Sequence, residues 1–312
     1  MVCGSLKNRC RLLKAGLCSC LLSISVLLVI IFCLFPKISQ AQFPRNQLYI
    51  YTDINYYPNY VLDGVPRNVH LLDIYKPEAC QSCPVIMYIH GGSWVFGDKG
   101  DLSYKAKAFT THGYIYVSIN YRLSPDYRFP VHAYDVARAF SWLKNNISDY
   151  GGNPEQIYLL GHSAGGHLAA LIALDERYLE AFGLIPADIA GVIGLDSAAY
   201  HLPSLFAAEP ENQYLFYWAF GDNPKDWAIA SPINYVREGK IIPPFLLLVA
   251  GDRRISETNN EYFYQQLLSV DNKVTLLSFP EKDHVSIDYE LGKEDDLTFK
   301  AIINWLEKLE NN

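Results

Sequence analysis

The chain has 312 residues, half of them hydrophobic and 19 % charged, with a formal charge of −7. The charge is uneven: residues 1–41 carry Lys7, Arg9, Arg11, Lys14 and Lys37 and no acid, leaving 21 basic against 33 acidic residues in the remainder. A body that acidic lacks the basic footprint of a nucleic-acid binder, so no nucleic-acid partner is expected, while its length allows one large α/β core.

At the N-terminus, four cations precede the uncharged run "LCSCLLSISVLLVIIFCLF" (17–35). "PKISQA" follows, with Ser39 and Ala41 spaced as the small residues of a cleavage site. Residues 1–41 are therefore expected to be a signal peptide cut after Ala41 or, given the ~20 residues that span a bilayer, an N-terminal signal anchor. The positive flank places the body, 42–312, on the non-cytoplasmic side in either case, secreted or attached to the membrane through 17–35. Five of the seven cysteines fall in this segment, and the remaining two form "CQSC", Cys80 and Cys83. Pro84 and a β-rich run follow that pair, so it lacks the helix N-terminus of a redox-active CxxC, and no second pair exists for zinc. A loop disulfide or two idle thiols is the expectation.

Beyond residue 42, strands alternate with helices. "QLYIYTDINYY" and "NVHLLDIY" alternate in polarity as an antiparallel opening pair. The short apolar runs "PVIMYIH" (84–90), "YIYVSIN" (114–120), "IYLLG" (157–161), "IAGVIGL" (189–195), "PFLLLVA" (244–250) and "VTLLSF" (274–279) read as strands of a mainly parallel sheet. Amphipathic segments near 101–112, 132–147, 164–174, 257–269 and 297–309 supply helices for both faces. Residues 197–235 interrupt the alternation with "YHLPSLF", "QYLFYWAFGD" and "DWAIASPINY". That aromatic stretch is expected to be a small cap or pocket wall, the bland option being that its rings fill core.

In "IYLLGHSAGGHLAAL" (157–171) a strand breaks at Gly161 and a helix resumes after Ser163. Such a corner lifts the Ser163 hydroxyl above the strand ends and aims the Ala164 amide where an oxyanion would form. Upstream, "VIMYIHGGSW" (85–94) runs a strand into Gly91 and Gly92, whose amides are the other candidate oxyanion donors. His90, His162 and His167 read as structural. His284, in "FPEKDHVSIDYELG", is the expected general base, and Asp252, in "LLLVAGDRR", the acid that orients it. The order Ser163, Asp252, His284 is that of hydrolase sheets.

With those motifs in place, residues 65–306 resemble the α/β-hydrolase superfamily, in its HGGxW esterase and lipase branch. That branch takes in relatives of hormone-sensitive lipase, carboxylesterases, feruloyl-esterase-like domains and kynurenine formamidases. The resemblance rests on "LDIYKP" (72–77), "HGGSW", "NYRLSPDYRFP" with Asp135, "YGGNPEQIYLLGHSAGGHLA" (150–169), "SPINYV", "PPFLLLVAGD" and "DHVSIDYELG". It implies an eight-stranded sheet, Ser163 as nucleophile, His284 as base, an oxyanion hole at Gly91, Gly92 and Ala164, and neither metal nor organic cofactor. One position departs: many relatives place the acid three residues past the glycine that ends the strand, and here that residue is Arg254. Glu257 and Asp196 are the fallback acids, and Arg122 is expected to pair with Asp135. The implied function is hydrolysis of a small-molecule carboxylic ester through an acyl-enzyme. The alternatives are an amidase acting on small aryl amides and a non-catalytic binding module.

Overall fold

The apolar runs become the strands of a single sheet in the computed structural model, which describes residues 48–57, 68–251 and 253–311. The expected leader, 1–41, lies outside these residues; among the described residues no helix is long and apolar enough to cross a membrane. The strands are β1 (Leu48–Asn55), β2 (Leu71–Pro77), β3 (Cys83–Ile89), β4 (Ile115–Ile119), β5 (Gly152–His162), β6 (Gly191–Leu195), β7 (Phe245–Ala250) and β8 (Val274–Phe279). They lie in the order β1-β2-β4-β3-β5-β6-β7-β8. β2 pairs antiparallel with β1 and β4, and every other pairing is parallel.

The burial follows from that pairing. Every residue of β4, β6 and β7 is buried, as a parallel strand covered on both faces requires. The helices are α1 (Lys105–Thr111), α2 (Val131–Asn146), α3 (Ala164–Leu174), α4 (Arg177–Glu180), α5 (Leu202–Ala208), α6 (Gln213–Phe220), α7 (Pro224–Ile229), α8 (Arg254–Leu268), α9 (Ser286–Tyr289) and α10 (Leu297–Glu310). One core cluster packs α2, α3 and α8 against the sheet through Phe140, Leu168 and Phe263. The opposite cluster packs α1 and α10 through Phe109 and Phe299. The architecture is therefore the expected α/β class: a mostly parallel eight-stranded sheet with helices on both faces, the α/β-hydrolase fold.

Topology places the site. From β3 the chain moves outward to β4, then returns past β3 to β5 and continues the other way. The carboxyl ends of β3 and β5 thus flank the point where the winding reverses, where open α/β sheets leave a crevice for ligands. Residues 197–235 lie between β6 and β7 and form α5, α6 and α7.

Candidate active site

Ser163 sits at the end of β5 with φ 51° and ψ −118°, a conformation that costs about 1–3 kcal/mol and persists only where the surroundings enforce it. Two glycines make that possible. A side chain on Gly161 would overlap the Gly165 carbonyl, and one on Gly165 would overlap the Ile89 carbonyl of β3. The corner is tied to the sheet by the Ser163 amide, which donates to Leu195 O at 3.0 Å. The hydroxyl therefore stands above the sheet at the N-terminus of α3.

His284 reaches it from the loop after β8. Its Nε2 lies 3.1 Å from Ser163 Oγ, and its Nδ1 lies 2.5 Å from Oδ2 of Asp196. A carboxylate accepts only, so Nδ1 carries the proton and Nε2 is left to accept from the serine. Two anchors hold the loop. The His284 carbonyl accepts from Nε2 of His162 at 2.8 Å. One turn on, in α9, Asp288 accepts from Tyr88 Oη at 2.8 Å and from the fully buried Lys105 Nζ at 3.0 Å.

The carboxylate beside the imidazole comes from one of the two fallback acids. Asp252 lies outside the described residues, and the acid that contacts the imidazole is Asp196, at the end of β6. Asp196 is fully buried, with φ 46°. Its Oδ1 accepts from the Ala250 amide at 3.1 Å and from Ser256 Oγ at 2.5 Å. Burial alone would raise its carboxyl, but the hydrogen bonds from His284, Ser256 and Ala250 hold it below the ordinary carboxylate range. The other fallback acid, Glu257, is exposed on α8, and Arg254 opens that helix with its side chain exposed too.

The glycine loop after β3 closes the opposite wall. Gly91 lies against the nucleophile: a methyl group built on it would sit 3.1 Å from Ser163 Cβ. Gly92, at φ 105°, starts a run of positive φ through Ser93 (53°) and Trp94 (61°). Its carbonyl accepts from the Val95 and Phe96 amides at 3.0 and 2.9 Å. Ala164 opens α3, so its amide has no acceptor within the helix. Ser163, Ala164 and His284 line a cavity of ≈ 210 Å³ together with Ser93 and Trp94. Its far wall comes from 197–235 through Leu205, Glu209, Asn212 and Phe216, with Arg253 beside His284.

Residues 72–267 match the model of the BD-FAE family. The chain belongs to that family. Over 197 residues it is 36 % identical to esterase LipQ of Mycobacterium tuberculosis, a stretch covering 57 % of this chain and 45 % of LipQ. Over 265 residues it is 28 % identical to isoprenylcysteine alpha-carbonyl methylesterase ICME of Arabidopsis thaliana, covering 79 % of this chain and 61 % of that one. The chain thus spans less than two thirds of either relative. Among solved structures, esterase B of Lactobacillus rhamnosis superposes with a TM-score of 0.70 at 20 % identity, covering 86 % of this chain and 89 % of that one. A hyperthermophilic esterase from the archaeon Pyrobaculum calidifontis gives 0.66 at 19 %, covering 85 % of both. At such identities the likeness speaks to the fold alone.

Three further histidines of this BD-FAE chain, His90, His162 and His167, flank the site. His167 accepts from Trp94 Nε1 at 3.2 Å and donates through Nε2 to the Ala230 carbonyl at 2.7 Å, linking the glycine loop to the segment between β6 and β7. Burial pushes His162 and His167 down to about 4, so both are neutral at pH 7. His90, also lowered by burial, stacks on Tyr121 with ring centres 4.4 Å apart. Arg122 pairs with the buried Asp135 through Nε (2.8 Å) and Nη2 (2.6 Å), bracing the loop before α2. Cys80 and Cys83 form a disulfide. In 197–235, Phe206 packs face to face with Phe216 at 4.6 Å and edge-on to Trp227 at 4.8 Å. The buried aromatics there join the core cluster on that face of the sheet, and Ala198, Ala199, Leu205 and Phe216 are the apolar residues from the segment that line the cavity. Arg253 and Glu209 were not anticipated: 44 positions separate them, and nothing in either local pattern signals their pairing.

Proposed function

We propose that the protein is a serine ester hydrolase acting on small carboxylic esters, with Ser163 as nucleophile, His284 as general base and Asp196, rather than Asp252, as the acid that orients the imidazole. The observation that carries this reading is the continuous contact from Ser163 Oγ to His284 Nε2 and from His284 Nδ1 to Asp196 (3.1 and 2.5 Å). Family membership and the likeness to named esterases support the choice of an ester as substrate.

In the first half-reaction His284 Nε2 takes the Ser163 proton as Oγ attacks the ester carbonyl. The resulting oxyanion is received by the Ala164 amide and by amides of the Gly91–Gly92 loop, and Asp196 stabilises the imidazolium. His284 then returns its proton to the departing alcohol. Water, deprotonated by the same nitrogen, attacks the acyl-enzyme and releases the acid. A cavity of ≈ 210 Å³ is smaller than the ~300 Å³ at which ligand pockets usually begin and suits a short acyl chain. A location outside the cytoplasm is part of the same proposal, supported by the charge pattern of residues 1–41 and by the Cys80–Cys83 disulfide, a bond that persists in oxidising compartments.

Turnover of 4-nitrophenyl butyrate and labelling by a fluorophosphonate probe test the reading. Ser163→Ala is expected to lose the label and to lower kcat by about 10⁴-fold or more. Near-normal turnover by that variant rules the mechanism out. A parallel assay on an N-formyl aryl amide tells an amidase from an esterase, and absence of label on the wild-type protein returns a binding module.

A further inference from the structure

Arg253, Glu209 and Asn212 line the cavity and take no part in the chemistry above. Arg253 Nη1 lies 2.9 Å from Nδ1 and 3.4 Å from Nε2 of His284, and 3.8 Å from Asp196 Oδ2. Since the Nδ1 proton already points to Asp196, the guanidinium rests against the ring instead of donating to Nδ1. Its Nη2 donates to Oε1 of Glu209, which arrives from the facing segment between α5 and α6. The second Glu209 oxygen, Oε2, accepts from Asn212 Nδ2 at 3.0 Å. Both partners are largely enclosed, the Arg253 side chain 21 % exposed and that of Glu209 15 %. A cation and an anion are thus locked together in the wall of a small cavity, next to the reacting atoms, and each cancels the other's field.

We propose that this pair is a charge filter: Glu209 masks Arg253, so the cavity accepts uncharged acyl chains, and removing one half admits acyl chains charged opposite to the half that stays. The proposal rests on the ester-hydrolase reading and adds its specificity. The physical reason is that a charged acyl group can pair with one member only by displacing the other, which leaves an enclosed Glu209 with the neutral Asn212 alone, or an enclosed Arg253 with only the longer 3.8 Å contact to Asp196. Discrimination by such a penalty needs no favourable contact to the preferred substrate. The acyl chain is assigned to this cavity because its volume, ≈ 210 Å³, matches a short chain lying beside Ser163.

The test measures kcat/KM of the full chain for three 4-nitrophenyl esters that share a leaving group: the butyrate, the anionic hemiglutarate and a cationic 4-trimethylammonio-butanoate. Each is read in the wild type, Glu209→Gln and Arg253→Gln, as the ratio of charged to neutral substrate within one variant, so that any loss of folded enzyme cancels. The wild type is expected to favour the butyrate over both charged esters by about tenfold or more. Glu209→Gln is expected to raise the hemiglutarate ratio by about tenfold or more, and Arg253→Gln the cationic ratio by a similar factor. Ratios that stay within about twofold of wild type overturn the filter, as does a wild type that cleaves hemiglutarate as fast as butyrate, which would make Arg253 an open anion site. A wild type that cleaves the butyrate while the ratios fail to move sinks the filter alone; one that cleaves none of the three sinks the esterase reading with it.

Discussion

The ends of β6 and β7 lie side by side in the sheet, yet they hand opposite charges to His284. β6 ends in Asp196, fully buried, whose oxygens take hydrogen bonds from an amide, a hydroxyl and the imidazole. The loop after β7 presents Arg253, a guanidinium 2.9 Å from the same ring. The difference teaches what an orienting carboxylate needs. It must be enclosed enough for its pull on the imidazolium to be strong, and supplied with enough donors to remain ionised there. The end of β6 meets both conditions, because β7 contributes the Ala250 amide and α8 contributes Ser256. Arg254, at the position where the family resemblance leads one to expect an acid, opens α8 with its side chain exposed.

The contrast extends to the histidines, and acid separates them by the largest margin. His132, His162 and His167 are buried and held at about 4, against 6.5 for the free side chain. Between those values the unfolded chain binds protons that the folded chain does not, so their contribution to stability rises with pH across the window and is lost as pH falls from 6.5 toward 4. Chemical denaturation at pH 7 and pH 5 should show a loss on the order of a few kcal/mol, and His167→Gln, which carries no titrating ring, should lessen the loss. An unchanged midpoint would mean that these imidazoles are not the neutral struts described.

A smaller effect is expected at Ser256, which donates to the carboxylate of Asp196 without touching substrate. Ser256→Ala should lower kcat by about tenfold with little change in KM, as for a lost hydrogen bond to a buried charge. A shift confined to KM would place Ser256 outside the catalytic chain. The smallest effects belong to the side chains that face away: Arg254→Ala and Glu257→Gln should each stay within about twofold of wild-type kcat/KM, and a large loss at either would return the acid to the β7 side.

Much of this was legible in the chain. Uninterrupted apolar runs such as "PFLLLVA" read as strands covered on both faces, and helical segments between them favour a parallel sheet. Ser163 was legible because the corner needs Gly161 and Gly165 at fixed offsets, and His284 because it follows the last strand. The acid was not. Asp196 and Asp252 each follow an apolar run, and which acid meets the imidazole is a property of packing that adjacent residues do not encode. Asp196 carried a faint mark, a lone acid closing the fully apolar "IAGVIGL". The Arg253–Glu209 pair carried none, since it joins two loops that meet only once the chain has folded.

The most direct test of the account is kcat for 4-nitrophenyl butyrate in Asp196→Asn beside Asp252→Asn. With Asp196 as the partner of His284, the first variant should lose about 10³- to 10⁴-fold while the second stays within about threefold of wild type. The reverse pattern, with Asp252→Asn crippled and Asp196→Asn active, would contradict it.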